Sequence, residues 1–178
     1  AMTSLPPSRP LPILTAGNPL LQQPAAPVIW PDPGLPARLA ALHATLADFR
    51  ARKGFGRAMA APQAGIGQRI VVMNLGATPF ALINPEITAR SEETFEVWDD
   101  CLSVPEHVVR VQRHCRVTLR YQDESGQWRQ WQADTPDLAE LLQHELDHLD
   151  GVLILDRTSR DQRKSAVRAL RDAQDRDQ

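Results

Sequence analysis

Apolar and polar positions recur with a helical period in two parts of this chain. Between residues 36 and 53, charged residues fill the positions between Leu39, Leu42, Leu46 and Phe49, and Gly54 suits the end of this helix. A second helix is predicted from residue 136 to about residue 150. Thr135 can cap it, Pro136 suits its first turn and Gly151 suits its exit. Its apolar side consists of Leu138, Leu141, Leu142, Leu146 and Leu149.

Strand patterns lie between the two helices. Residues 69–73 predict a buried strand, and residues 80–84 predict its partner, which we expect Pro85 to end. Residues 87–97 fit either another strand pair or a long arm. Residues 109–121 alternate between mainly apolar and polar side chains, which predicts one long half-buried strand. A turn at residues 123–126 would then lead into a hairpin partner at residues 128–133.

The two ends of the chain have a different character. Most of the 15 prolines lie at or before Pro36, so residues 4–34 are expected to run extended over the surface, with residues 11–14 able to add a short edge strand. Residues 1–10 are expected to form a flexible extension, and Ala1, before Met2, to be left over from cloning. Residues 152–155 fit a short strand or an extended exit, and residues 161–173 predict an amphipathic C-terminal helix.

This order of elements predicts a single α+β domain over residues 1–178, with antiparallel sheets. The formal net charge of −2 gives no general reason to expect a nucleic-acid or membrane partner. No apolar run is long enough to span a bilayer, and the start of the chain lacks a secretory signal pattern. Two cysteines cannot build a disulfide framework, so a cytoplasmic location is expected.

The second helix contains the motif His-Glu-x-x-His. Residues four apart share one helix face, so His144 and His148 can direct imidazole nitrogens at one metal ion. Glu145 lies beside them and can take a proton from a water that the ion activates. The alternative is a pair of histidines on an ordinary surface helix, but the motif rarely arises by chance.

A catalytic metal usually has three protein ligands, and the sequence narrows the choice of the third. No glutamate follows Glu145, and Asp156 and Asp172 remain possible but lie in no recognisable motif. Cys115 falls in the inward register of the predicted long strand, where a small buried thiol is expected. Cys101 lies in an irregular polar turn, where it could be a thiolate ligand or equally a partly buried core thiol.

Three separate stretches, residues 56–63, 99–103 and 143–148, resemble in order and rough spacing the three signature motifs of the peptide deformylases. The likeness also covers residues 13–20, Gly65 and residues 148–151, and so spans most of the chain. The third motif is shared with many metalloproteases, whereas the set of three is highly specific. The resemblance implies an α+β fold with sheets packed around a central His-Glu-x-x-His helix, in the branch of the family that ends in a helix.

The resemblance also implies a reaction. Family members hydrolyse the N-formyl group of formyl-methionyl chains and release formate, a step of protein biosynthesis that implies possible ribosome association. They commonly use Fe(II), and Zn(II), Ni(II) or Co(II) could replace it in the same ligands. By resemblance the metal ligands are Cys101, His144 and His148.

The catalytic roles follow from the same resemblance. Glu145 is implied as general base and then general acid, and Gln63 and the backbone N–H of Leu102 as donors to the developing oxyanion. The residues expected to contact substrate are Gly56, Arg57, Ala58, Met59, Asp99, Asp100, Glu140 and Leu141.

Several positions depart from the family pattern. Ala58 replaces a glycine, Arg57 replaces an apolar residue, and Asp99 and Asp100 stand for the usual Glu-Gly. Glu140 occupies a place that is usually apolar or basic. One interpretation is a surface ion pair of Arg57 with Glu140 or Asp100, which would contribute little. The other is altered specificity, with free N-formylmethionine or another small N-acyl amino acid as substrate.

Two rival functions stay open on the sequence alone. A metalloprotease on an unrelated fold would cleave internal peptide bonds and would need neither Cys101 nor Gln63. A catalytically silent homologue would bind only a metal or a peptide. The intact set of predicted ligands, together with Glu145 and Gln63, argues against the silent homologue.

Overall fold

The computed structural model describes residues 8–15, 17–101 and 104–152, and for residues 99–101 and 104–109 it describes the backbone alone. Two helices and seven strands make up the described fold. The helices are α1 (Leu35–Lys53) and α2 (Pro136–Leu149). The strands are β1 (Ala58–Ala60), β2 (Ile70–Met73), β3 (Phe80–Arg90), β4 (Thr94–Cys101), β5 (Val104–His114), β6 (Val117–Gln122) and β7 (Trp128–Ala133). Two short 3-10 helices span Pro19–Gln22 and Ala61–Ala64.

The strands form two antiparallel sheets, which confirms the predicted α+β class. The larger sheet has the order β1-β2-β3-β6-β7, and β4 pairs with β5 in a separate two-stranded sheet. The predicted hairpin at the end of the larger sheet is confirmed, with Tyr121 opposite Arg129 in β6 and β7.

The larger sheet separates two apolar layers. In β2, Val71 and Met73 pack in the layer that contains the leucines of α2, whereas Ile70 and Val72 pack in the layer that contains the leucines of α1. Successive strand residues point to opposite faces, and both faces are covered by a helix here. This explains why β2 is a continuous apolar run rather than an alternating one. The leucines of α2 therefore hold this helix against one face of the sheet.

The first predicted helix is confirmed. Leu39, Leu42, Leu46 and Phe49 are all buried on α1. Gly54 follows the last helical residue with φ of 78°, and its amide donates to the Arg50 carbonyl, as expected of a glycine that ends a helix.

The single long strand predicted over residues 109–121 is wrong. The chain leaves β5 after His114 and enters β6 at Val117, in the other sheet. The amide of Cys115 donates to the Glu93 carbonyl at 3.0 Å in the connection. Both strands alternate with the same period, and neither glycine nor proline marks the break, so the pattern does not reveal it. Cys115, expected to be buried, is only half-buried because it lies in this connection.

Pro85 does not end its strand, which is a second correction. The pairing of β3 with β6 shifts register between Ile83 and Glu86, and Asn84 has φ of 51°. A bulge of this kind accommodates a residue that has no N–H to donate. Residues 87–97 are divided between sheets: β3 continues to Arg90 against β6, and β4 begins at Thr94 against β5.

Residues 11–14 do not form the edge strand that the sequence allowed, although the Leu14 amide donates to the Gln63 carbonyl at 2.7 Å. From residue 153 onward the predicted exit strand and the C-terminal helix at residues 161–173 lie outside the described residues. The single-domain boundary and the flexible residues 1–10 stay predictions. Within residues 8–152, as far as they are described, neither helix is long and apolar enough to cross a membrane.

Candidate active site

The helix that carries the His-Glu-x-x-His motif begins and ends as its sequence predicts. Thr135 precedes the first turn, and its hydroxyl accepts a hydrogen bond from the Leu138 amide at 3.4 Å, with Pro136 as the first helical residue. Past the end of α2, Gly151 has φ of 75°, a conformation that favours glycine. These signals fix where α2 begins and ends, so the motif residues lie within the regular helix.

His144 and His148 lie one helical turn apart on a buried side of α2. Their side chains are 5% and 1% exposed, and their Nε2 atoms are 3.3 Å apart. Two nitrogens bound at about 2.0–2.1 Å to a tetrahedral ion would be separated by roughly 3.3–3.4 Å. The two imidazoles therefore fit a shared divalent ion.

The structure describes only the backbone of the third predicted ligand, Cys101. Cys101 is the last residue of β4, and its backbone pairs with Val104 of β5. Its side chain, those of Asp99 and Asp100, and the whole of Leu102 lie outside the description. Among the side chains that are described, no group of three histidine, cysteine, aspartate or glutamate residues converges on one point. Ligation by Cys101 therefore stays a prediction.

Glu145 and Gln63, the other predicted catalytic side chains, are both buried. Glu145 is 4% exposed on α2, directly after His144. Gln63 is 1% exposed in the 3-10 helix, where its side-chain oxygen accepts the Ala60 amide hydrogen bond at 2.9 Å. Since α2 packs against both β1 and this 3-10 helix, the first and third motifs are brought together.

The predicted substrate contacts surround this junction with different exposures. Ala58 and Met59 are buried in β1, and Leu141 is buried on α2, whereas Glu140 is half-buried. The Met59 side chain packs in the layer under α1, so a substrate contact by this residue would use its backbone. Gly56 has φ of 124°, and a Cβ there would lie 3.0 Å from the Phe49 ring, so the position requires glycine.

Arg57 has an ion-pair partner that the sequence did not predict. Its Nη1 atom lies 2.5 Å from Oδ2 of Asp137, in the first turn of α2. The side chains are 39% and 72% exposed, so the pair is at the surface, as the simpler interpretation expected. Both residues line a cleft of about 530 Å³ that Arg50, Asn74, Leu75, Gly76, Thr135 and Leu138 complete.

Two polar connections between α2 and β5 were not predicted from the sequence. Arg113 is 3% exposed and lies 2.7 Å from Asp147, and the Gln143 amide group bonds to the backbone of His114. A signal for Arg113 was present, because an arginine occupied the mainly apolar register of its strand. A buried charge of this kind requires a partner.

Comparisons with known proteins point to one family. The polypeptide deformylase family model matches residues 10–164. The chain is 40% identical to the peptide deformylase of Thermotoga neapolitana over 141 residues, which are 79% of this chain and 82% of that one. It is also similar to the peptide deformylase structure from Legionella pneumophila, with a TM-score of 0.80 and 32% identity over 93% of this chain and 95% of that one.

A peptide deformylase from Synechococcus elongatus in complex with actinonin is likewise similar, with a TM-score of 0.79 and 32% identity over 93% of this chain and 91% of that one. These matches cover most of both chains, and they agree with the α+β fold and its antiparallel sheets. The chain therefore belongs to the polypeptide deformylase family, metal-dependent hydrolases that remove the N-formyl group from formyl-methionyl peptides.

Proposed function

We propose that His144, His148 and Cys101 hold the divalent ion of this deformylase, and that the ion is Fe(II) in the cell. The observation that carries the proposal is the 3.3 Å separation of two buried imidazole nitrogens, with Glu145 next to them in sequence. A thiolate beside two imidazoles is a donor set that also accepts Zn(II), Ni(II) or Co(II), so a purified sample can contain another ion.

The chain's own groups would carry out the proton transfers. When bound, the ion lowers the pKa of water and polarises a carbonyl oxygen. Glu145 takes a proton from the attacking water as the new C–O bond forms at the formyl carbon. It then gives a proton to the methionine nitrogen as the C–N bond breaks, so the products are formate and a free amine.

Charge on the carbonyl oxygen is greatest between these two steps. The amide N–H of Gln63 and the backbone N–H of Leu102 are the proposed donors to that oxygen. The hydrogen bond from Ala60 holds the Gln63 side chain in place in a buried position. A fixed donor in a site with little water stabilises such charge more effectively than a mobile one in solvent.

A smaller substrate is the second candidate, and the position of Arg57 favours it. The Arg57 side chain is 39% exposed at the edge of a cleft beside the first turn of α2. A guanidinium there could bind the carboxylate of free N-formylmethionine, which a longer peptide lacks at that distance. Competition with Asp137, 2.5 Å away, opposes such binding, so formyl-methionyl peptides remain the favoured substrate.

The substrate class also suggests where in the cell the enzyme acts. Formyl-methionyl chains are made on ribosomes, so we propose that the enzyme acts in the cytoplasm on chains that emerge from the ribosome. The unrelated-fold metalloprotease is removed by the family assignment.

One experiment tests these proposals together. Formate release is measured with formyl-Met, formyl-Met-Ala and a longer formyl peptide, on samples whose metal content is determined in parallel. Peptide deformylation predicts that kcat/KM rises with peptide length and that activity follows the bound metal. Efficiency that is highest for formyl-Met would instead support the smaller substrate, and activity without metal would overturn the ligand assignment.

A further inference from the structure

The two α2 residues that connect this helix to β5 each directly precede a histidine of the motif. The side-chain oxygen of Gln143 accepts from the His114 amide at 2.8 Å, and its nitrogen donates to the His114 carbonyl, also at 2.8 Å. One turn later, Arg113 donates to Asp147 at 2.7 Å. Gln143 precedes His144, and Asp147 precedes His148. We call these two connections the α2–β5 clamp.

The clamp is largely buried, unlike the surface ion pairs. Gln143 is 7% exposed, and the side chains of Arg113 and Asp147 are 3% and 14% exposed. By comparison, the side chains of Arg52 and Asp48 on α1 are 56% and 38% exposed. A buried, hydrogen-bonded ion pair and a two-way amide bond restrict position far more than exposed pairs do.

The strand in the clamp belongs to the sheet that carries the third predicted ligand. Residues 94–99 of β4 pair with β5 without interruption, and Cys101 pairs with Val104. The position of Cys101 relative to α2 therefore depends on how the β4–β5 sheet is fastened to that helix. Both connections therefore join α2 to the sheet that contains Cys101.

We propose that the α2–β5 clamp, formed by Arg113–Asp147 and Gln143–His114, positions the metal ligands, so that losing it speeds metal release more than it weakens the fold. This inference rests on the proposed ligand set. Arg113, Asp147 and Gln143 act through the ligands and are positioning residues. Loss of contacts that orient metal ligands typically lowers metal affinity about 10- to 100-fold.

The test measures the rate at which Ni(II)-loaded protein loses metal to excess chelator. Removing one charge would leave the other buried and alone, so the main variant is the double change Arg113→Met with Asp147→Leu. The expected result is release at least about tenfold faster than from the wild type, with the thermal midpoint of the metal-free protein nearly unchanged. Arg113→Lys keeps a cation opposite Asp147, so this variant should release Ni(II) at a rate close to that of the wild type. The control is Arg52→Gln with Asp48→Asn, the exposed pair on α1.

Gln143→Met is the second variant, which decides the matter if the double variant does not fold. It removes the amide connection without changing charge, and it too should speed release. Release at the wild-type rate from a folded double variant, or from Gln143→Met if the double variant does not fold, would overturn the inference while leaving the ligand set intact. A wild-type chain that binds no stoichiometric Ni(II) would overturn the ligand assignment and this inference together.

Discussion

The side-chain oxygen of Gln63 accepts the hydrogen bond of the Ala60 amide, and the distance is 2.9 Å. This bond decides which end of the side chain is the donor in the proposed reaction, because the oxygen is already engaged. Gln63→Glu keeps an oxygen for Ala60 but replaces the donating group by a second acceptor. We expect kcat to fall about 100- to 1,000-fold, the usual cost of losing one oxyanion donor.

Metal content and thermal midpoint serve as the controls for this variant and should match those of the wild type. A Gln63→Glu enzyme with unchanged kcat on formyl-Met-Ala would exclude Gln63 as the donor.

Glu145 is the proposed proton carrier, and Glu145→Ala should separate proton transfer from metal binding. Glu145 is 4% exposed, so in the variant water from the solvent is a poor substitute for its carboxylate as the base. Loss of a positioned acid–base group typically costs about 100- to 10,000-fold in rate, and this residue serves both steps. Formate release should therefore fall at least that far while metal analysis still finds one equivalent. Retained turnover would reject the mechanism.

The parts of the fold that the sequence predicted depend on neighbours close along the chain. The helical period fixes α1, and the Thr135 cap with the glycine at position 151 fixes α2. The hairpin of β6 and β7 needs only a turn and two alternating runs. The motif residues of α2 were predictable for the same reason, because a spacing of four places them on one face.

The parts that the sequence did not predict depend on contacts between distant segments. The break between β5 and β6 depends on their pairing partners, because β5 pairs with β4 whereas β6 pairs with β3 and β7. The alternation of apolar and polar residues continues across Cys115 and does not reveal the break. The bulge at Pro85 is supported by Asn84, whose side chain bonds to both backbone groups of Val28. The partner of Arg57 likewise comes from 80 residues away in Asp137.

Arg57 offers a test of substrate size. If peptides are the substrate, Arg57→Leu should leave the ratio of kcat/KM for formyl-Met-Ala to that for formyl-Met unchanged within about fivefold, because an exposed ion pair contributes only about 0–1 kcal/mol. Asp137→Asn is the matched variant, since it removes the same pair and keeps the cation. A selective loss of formyl-Met hydrolysis in Arg57→Leu alone would favour the smaller substrate.

Gly151, which follows α2, packs closely against the backbone of Gln22 in the N-terminal segment. A Cβ on this residue would lie 2.7 Å from the Gln22 carbonyl oxygen, and its φ is 75°. Gly151→Ala should therefore lower the free energy of unfolding by about 1–3 kcal/mol from backbone strain, and further through the clash. Gly76→Ala is the control, because Gly76 has φ of 94° with nothing within 4 Å of the added atom. Equal losses in urea denaturation would show that the contact with Gln22 costs nothing.

Asp123 should make the stability of the β6–β7 turn depend on pH. Its Oδ1 accepts from the Ser125 hydroxyl at 2.6 Å and from the amides of Ser125 and Gln127, and Oδ2 accepts from Arg129 at 2.9 Å. The Ser125 hydrogen bond, and then that of Arg129, hold the pKa of this carboxyl well below its usual range. A carboxyl whose pKa is lower in the folded state stabilises the fold at pH values above its unfolded pKa of about 3.9. This stabilisation is lost as the pH falls from that value through the folded pKa.

Asp123→Asn keeps an acceptor oxygen and removes the charge. Urea unfolding from pH 8 to pH 3 should show the variant less stable than the wild type by a constant amount down to about pH 5. Above that pH the Asp123 carboxyl is ionised in both the folded and the unfolded chain. The difference should then shrink below about pH 4, where the unfolded chain takes up a proton and the folded one does not. Asp48→Asn on α1 serves as the control for removing one surface carboxylate. A difference between Asp123→Asn and the wild type that grows as the pH falls would contradict the lowered pKa, because it has the opposite sign.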